Sequence, residues 1–115
     1  MNKKITFKNM DHSAGLENHA NEKLEKIVNF LEREGRTPIT IELVFMPSKV
    51  NAHHKVELLV KTPDYDRVSS YEGTDFYDVL HRVIDTMYRE LHEDKQRRID
   101  DRKQQGRHDE FKKQR

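Results

Sequence analysis

The sequence predicts an α+β fold, a two-layer βαβββα domain in which a four-stranded mixed sheet carries two helices on one face. Two segments place apolar residues at the three- and four-residue spacing of a helix, and four shorter segments alternate or cluster apolar residues as strands do. The chain has 115 residues, 33% of them hydrophobic and 37% charged. That length suits a single domain with one core.

The first two elements are a short strand and a long helix. Residues 4–8 alternate polar and apolar side chains, which predicts a strand with Ile5 and Phe7 facing inward. Ser13 is the predicted N-cap of the helix, and Gly35 is its stop signal. The apolar face of this helix consists of Leu16, Ala20, Leu24, Ile27, Val28 and Leu31.

Three further strands are predicted before the second helix. The inward residues of the strand at 38–46 are Ile39, Ile41, Leu43 and Phe45, and those of the strand at 54–61 are Val56, Leu58 and Val60. The facing of the strand at 67–72 stays open, because Val68 and Tyr71 are an odd number of residues apart. The first helix acts as a crossover between parallel strands, whereas the short later connections predict an antiparallel meander.

The second helix begins at a turn and carries the longest apolar stripe. Gly73 is expected to take the positive φ of the turn, Thr74 to cap the helix and Asp75 to place a negative charge in its first turn. The stripe consists of Phe76, Leu80, Val83, Ile84, Met87 and Leu91. Its next positions are charged, namely Asp94, Arg98 and Arg102. We therefore expect the helix to leave the domain past about Leu91.

Charge is divided unevenly along the chain. Residues 95–115 contain nine Lys/Arg and four Asp/Glu, whereas residues 1–94 contain thirteen and seventeen. We therefore expect an acidic domain over 1–94 and a basic, helical-to-disordered tail over 95–115. A basic tail beside a folded domain favours a polyanionic partner, with a merely solvated terminus as the alternative.

Several classes of protein and site are not expected. The chain contains no cysteine, no apolar run of membrane-spanning length and no signal-peptide hydrophobic segment, which favours a cytoplasmic protein without disulfides. His53 and His54 are predicted to point to opposite faces of a strand, and the remaining histidines have no paired spacing: His12, His19, His81, His92 and His108. We expect no metal, no cofactor and no small-molecule substrate.

Catalytic motifs are also missing, so we expect a protein that is not an enzyme. The sequence has no nucleophilic triad pattern and no glycine-rich phosphate loop among its four glycines. Carboxylates on the second helix have basic partners four residues away, as Asp78–Arg82 and Asp85–Arg89. This spacing is typical of surface ion pairs.

Basic residues lie on both helices and in the tail, and they predict contacts with RNA phosphates. Such contacts depend on positive charge and read little of the base sequence. One flank of the first helix combines His19, Lys23, Lys26 and Arg33 with the ring of Phe30. The candidate RNA-binding residues are Lys23, Lys26, Arg82, Arg89, Lys95, Arg97, Arg98, Arg102 and Lys103.

The element order and two sequence runs resemble the ribosome hibernation promoting factors, also called ribosome-associated inhibitors or sigma-54 modulation proteins. The first run is Glu-Lys-Leu-Glu-Lys-Ile at 22–27, and the second is Glu-Gly-Thr-Asp-Phe-Tyr-Asp-Val-Leu at 72–80. The residues of the family motif are Gly73, Asp75 and Tyr77. Unlike many relatives, this chain has His81 after the motif in place of an acidic residue, and Thr86 and Glu93 in place of lysines.

The resemblance implies a translation inhibitor that binds the small ribosomal subunit in the mRNA and tRNA channel under stress or in stationary phase. The implied partners are 16S rRNA and the 30S and 70S particles, and the length implies the short form of the family. Lys23, Lys26 and Arg89 match its basic positions. A protein-interaction module that regulates a transcription factor, using Phe30 and the acidic faces, is the alternative.

Overall fold

The chain forms the predicted α+β architecture. A computed structural model describes residues 1–48 and 53–113, with side chains described as far as Arg102. Its elements in chain order are β1 (Asn2–Phe7), α1 (Ala14–Glu34), β2 (Thr40–Met46), β3 (His54–Lys61), β4 (Asp66–Gly73) and α2 (Phe76–Lys113).

The four strands form one sheet in the order β1-β2-β3-β4. β1 runs parallel to β2, with Ile5 opposite Leu43, and α1 is the connection between them. The pairs β2–β3 and β3–β4 are antiparallel, as their short connections require. The mixed sheet and the crossover helix are therefore confirmed.

The hydrophobic core lies between the sheet and the two helices. Side chains from every second position of β2 and β3 pack against the apolar stripes of α1 and α2, because successive strand residues point to opposite faces. The largest fully buried side chains are Phe45, Leu24, Ile27, Leu31, Ile41, Leu43, Leu58, Leu80, Ile84, Met87, Leu91 and Val56. The predicted inward positions of both strands are thus confirmed.

The ends of α1 follow the predicted capping. The Ser13 hydroxyl accepts a hydrogen bond from the Leu16 N–H at 3.3 Å, which satisfies one free donor of the first turn. Gly35 closes the helix at φ 69°, and its N–H donates to the Glu32 carbonyl at 3.1 Å. A left-handed residue at this position favours glycine, because a Cβ would crowd the backbone.

The start of α2 differs from the prediction in two respects. Thr74 is not the cap, because the helix begins at Phe76 and the preceding residue, Asp75, accepts from the Tyr77 N–H at 3.0 Å. Gly73 does not have a positive φ. A Cβ at Gly73 would lie 2.7 Å from the Val79 Cγ2, so close packing explains the glycine.

The facing of β4, left open by the sequence, is polar. β4 pairs Arg67 with Val60, Ser69 with Leu58 and Tyr71 with Val56, so these three residues face the helices. Ser69 is buried beneath α2. The exposed side of β4 instead carries Val68, which reverses the usual apolar-in pattern of a strand.

α2 does not leave the domain at Leu91, so that expectation is wrong. Asp94 accepts two hydrogen bonds of 2.7 Å from Arg67, and Arg98 donates to the Tyr65 hydroxyl at 2.6 Å. The helix therefore stays in contact with the body of the domain for two further turns. Despite its length, α2 is too polar to cross a membrane, and the same holds for α1 within the described residues.

Candidate nucleic-acid interface

The two helices lie side by side and run in the same direction. Residue numbers rise together along their contacts, which pair His19 with His81, Lys26 with Asp85, Phe30 with His92, and Glu34 with Lys95. We call the shallow surface channel along these contacts the α1–α2 groove. The basic positions of α1 and the adjacent face of α2 both lie along this groove.

Phe30 forms the floor of the groove and is not an exposed ring. Only 6% of its surface is accessible, and its ring packs against Tyr65, Tyr88 and His92 at centroid distances of 5.8, 6.2 and 4.6 Å. The interpretation of Phe30 as a surface contact among basic residues is therefore wrong. Helical spacing alone could not show that Phe30 is buried, whereas Val28, which was assigned to the apolar face, is only partly buried.

Lys26 and Lys23 are the groove lysines of α1. The Lys26 ammonium lies 2.5 Å from an Asp85 carboxylate oxygen and 4.9 Å from the centre of the Tyr88 ring. Asp85 therefore pairs with Lys26 across the groove. The sequence spacing had predicted a pair between Asp85 and Arg89, and that prediction is wrong. Lys23 is partly buried one turn earlier, and no carboxylate pairs with it in the described part of the chain.

The two predicted arginines of α2 take part in exposed ion pairs within the helix. Arg82 pairs with Asp78 at 3.2 Å, as predicted, whereas Arg89 pairs with Glu93 at 3.8 Å. More than half of each of these side chains is accessible to solvent. Such pairs contribute only about 0–1 kcal/mol, so a phosphate can replace the carboxylate at small cost.

The cations that follow Leu91 have more extensive contacts. Lys95 lies 3.3 Å from Glu34 and over the Phe30 ring, and Arg97 pairs with Asp94 at 3.6 Å. Arg102 is exposed, and the side chain of Lys103 lies outside the described residues. Their predicted RNA contacts remain a prediction.

Residues 4–99 match the model of the family described as sigma 54 modulation protein / S30EA ribosomal protein. The chain belongs to this family. The resemblance seen in the sequence is thereby confirmed, and it spans both the groove and the contacts of α2 as far as Ile99. No curated protein matches the sequence significantly.

Solved structures share the S30EA fold of this chain at low sequence identity. The Thermus thermophilus Protein Y N-terminal domain has a TM-score of 0.63 at 18% identity, covering 79% of this chain and 96% of its own. A ribosomal subunit interface protein from Coxiella burnetii has a TM-score of 0.66 at 21% identity, covering 83% and 98%. These similarities establish the common architecture.

The motif residues of this S30EA-family chain have structural positions at the start of α2. Gly73 and Asp75 form the close approach and the helix cap described above. The ring of Tyr77, 43% exposed, packs edge-on against His19 with centroids 5.1 Å apart. A Cβ at Gly15 would lie 3.0 Å from the Tyr77 hydroxyl, so that glycine leaves room for the ring.

Beyond the groove, β4 and α2 are joined by charged side chains that the sequence did not single out. We call Arg67, Glu90 and Asp94 the ion cluster. Arg67 donates to Asp94 through Nε and one terminal nitrogen at 2.7 Å, and to Glu90 at 3.1 Å. The hydrogen bonds from Arg67 hold the pKa of Asp94 below its ordinary value, against the opposing effect of burial.

Tyr65 extends this contact toward the C-terminal end of α1. Its hydroxyl donates to Glu34 at 3.0 Å and accepts from Arg98 at 2.6 Å, while the Arg98 guanidinium lies 4.8 Å from the ring centre. Burial, together with the Glu34 carboxylate, raises the pKa of Tyr65 to about 12. Arg98 therefore contributes to the fold through Tyr65, and its predicted RNA contact remains a prediction.

Proposed function

We propose that this protein binds the small ribosomal subunit through the α1–α2 groove and inhibits translation by occupying the mRNA and tRNA channel. One observation carries the proposal. In a chain matched from residue 4 to 99 by the S30EA family, Lys26 of α1 and Lys95 of α2 both lie along the contact between the helices. The description of the family, S30EA ribosomal protein, and the name of the ribosomal subunit interface protein support a ribosomal partner.

The chemistry of the groove suits contacts to the phosphates of 16S rRNA. Lys23 is free of carboxylate partners in the described chain, and the carboxylates that pair with Lys26, Arg82 and Arg89 are exposed and replaceable. Contacts of this kind give affinity that falls with salt and little reading of base sequence. RNA recognised through shape and backbone is the matching target.

The proposed mechanism is steric and involves no catalysis. A domain whose helices are fixed by a buried core can occupy the channel as a rigid body, on 30S or 70S particles, in stressed or stationary-phase cells. The basic positions Arg97, Arg102 and Lys103 lie on the part of α2 beyond the core, where they would add contacts to rRNA. This setting corresponds to a cytoplasmic protein.

The test is co-sedimentation of the purified protein with 30S and 70S particles across a salt series. We compare Lys23→Glu combined with Lys26→Glu against a control with the same charge change, Lys4→Glu combined with Lys61→Glu. The control lysines lie on the sheet face away from the helices, as their pairing with Glu42 and Thr40 shows. Urea unfolding of all proteins verifies that the domain stays folded.

We expect saturable, one-to-one pelleting of the wild-type protein that weakens with salt. The groove variant should bind about tenfold more weakly or worse, and its salt slope should fall by about two because two phosphate contacts are lost. The control should bind as the wild type does. Equal binding of both variants would exclude the groove as the rRNA contact, and no pelleting at low salt would exclude ribosome binding. A parallel translation assay tests inhibition.

A protein-interaction module that regulates a transcription factor is the weaker candidate. It depended on Phe30 as an exposed contact, and that side chain is buried. A protein partner that persists at high salt and after nuclease treatment would favour this candidate over rRNA binding.

A further inference from the structure

His19 and His81 meet at the N-terminal end of the groove, although 62 residues separate them in the chain. Their Nε2 atoms are 3.1 Å apart, and the ring centroids are 5.1 Å apart at an interplanar angle of 64°. Both side chains are partly buried, one on α1 and one on α2. Two imidazole nitrogens from different elements thus lie within hydrogen-bond distance of each other near the surface.

The separation of the two nitrogens matches that of ligands sharing a metal ion. Imidazole nitrogens bind Zn²⁺ at about 2.0–2.1 Å, so two of them at angles between about 90° and 109° lie roughly 2.9–3.4 Å apart. The observed 3.1 Å lies within this range. We propose that His19 and His81 form a binding site for one divalent transition-metal ion of the zinc class, linking α1 to α2.

The surroundings hold the first imidazole in place before any ion binds. The Tyr77 ring packs edge-on against His19, and Gly15 leaves the space that Tyr77 occupies. The neighbouring core residues Ala20 and Leu80 are fully buried, which fixes the two helices relative to each other. A site whose ligands are already positioned requires little ordering when the metal binds.

Charged side chains from both helices surround the histidine pair. Asp78 and Asp85 lie three residues before and four residues after His81, so they flank it on the same side of α2. They hold Arg82 and Lys26 in ion pairs, and Lys23 lies four residues after His19. Asp78 and Asp85 thus offset the charges of Arg82 and Lys26, and Lys23 adds one positive charge near the pair.

The protein supplies two ligands, and the other positions of the ion stay open. Among the described residues, no group of three or more His, Cys, Asp or Glu side chains is arranged to hold a metal. Water or a donor from a bound partner would complete the coordination. Imidazole ligands without thiolates suit Zn²⁺, Cu²⁺ and Ni²⁺.

The test is a calorimetric titration of the untagged protein with Zn²⁺ alone. The variants His19→Gln and His81→Gln each remove one ligand but retain a polar side chain of similar reach. His12→Gln is the matched control, because His12 is an exposed histidine that contacts Glu17 at the start of α1. All three positions are accessible enough that the variants should keep the core intact.

We expect the wild type and His12→Gln to bind one Zn²⁺ each, and either groove variant to lose about tenfold or more in affinity. At a free Zn²⁺ concentration about ten times the wild-type Kd, the melting temperature should rise by several degrees in the first two proteins and by clearly less in the groove variants. Imidazole nitrogen resonances of His19 and His81 should shift together. Equal Zn²⁺ affinity in all four proteins would overturn the proposal, whatever the outcome of the ribosome experiment.

Discussion

The two parts of α2 hold to the same sheet by different means. From Phe76 to Leu91 the helix is held by apolar packing, whereas from Asp94 to Arg98 it is held by charged and hydroxyl groups. The first part buries side chains such as Met87 and Leu91 completely. The second part continues the same stripe positions with charge.

This difference shows that a helix can remain docked after its apolar stripe ends, provided that the facing strand presents a side chain that complements the charged residues of the helix. β4 presents Arg67 where an apolar residue would be expected, and Asp94 on α2 complements it. Apolar side chains carry no charge that salt can screen and no group that titrates, whereas ion pairs weaken as salt screens them or as the carboxylate is protonated. The two parts of α2 should therefore respond differently to conditions.

The largest effect should come from the apolar part. Leu91→Ala removes a fully buried side chain and leaves a cavity, which should lower the free energy of unfolding by about 2–5 kcal/mol. Urea unfolding at low and high salt measures the loss, which should be the same in both. A loss under about 1 kcal/mol would mean that the apolar part contributes little to holding α2.

A smaller but salt-dependent effect is expected in the charged part. Arg67→Met leaves Glu90 and Asp94 without their shared donor and should cost about 1.5–3 kcal/mol, less than for a fully buried pair because one third of Arg67 is accessible. The same unfolding experiment, repeated at rising salt, should show the difference from wild type shrinking. A loss that salt leaves unchanged would contradict the assignment of the effect to the ion pairs of Arg67.

Acid should weaken the charged part selectively. The pKa of Asp94 is lowered in the folded protein, so the stabilisation it provides is complete above its ordinary value of 3.8 and is lost as the pH falls below that value. We expect wild type to exceed Asp94→Asn in stability at about pH 5 and this excess to shrink toward about pH 2.5. An excess that stays constant over this range would contradict the lowered pKa.

The smallest effect is expected for an ion pair within the exposed surface of α2. Arg82→Met removes a pair whose two side chains are both more than half accessible, so stability should change by about 0.5 kcal/mol or less. It is the matched control for Arg67→Met, because each substitution replaces by methionine an arginine that pairs with a carboxylate of α2. Comparable losses in the two variants would remove the distinction between the ion cluster and surface pairs.

The regular elements could be predicted because their signals are local. Ser13, Gly35 and the alternating apolar residues of β2 and β3 act within a few positions along the chain, and the structure confirms each. The same holds for the element order, from which the parallel and antiparallel pairings follow. The prediction of Thr74 as the cap of α2 was wrong by one residue, because Thr74 and Asp75 are both residue types that cap helices and only the backbone distinguishes them.

The facing of β4 and the course of α2 past Leu91 were missed for a shared reason. Each was ambiguous because an inward position carries a polar residue, Arg67 on the strand and Asp94 on the helix. Each residue alone is typical of a solvent-exposed surface, and only their proximity across 27 residues makes them interior partners. A periodicity argument that treats each element separately therefore has no signal for such a pair.

The candidate site was predictable as a set of charges but not as an arrangement. The basic positions of α1 could be read from spacing, whereas the pairing of Lys26 with Asp85 depends on how the two helices lie together. The contact between His19 and His81 depends on it as well. Neither contact follows from helical periodicity, because the partners belong to different helices.

Because α2 extends well past the ion cluster, a small tilt of the helix there moves its C-terminal end a long way. The helix has 38 residues, the longest dimension of the molecule is 66 Å, and roughly 22 Å of helix extends from Arg98 to Lys113 at about 1.5 Å per residue. A tilt of about 10° at Arg98 would therefore displace the C-terminal end of α2 by roughly 4 Å.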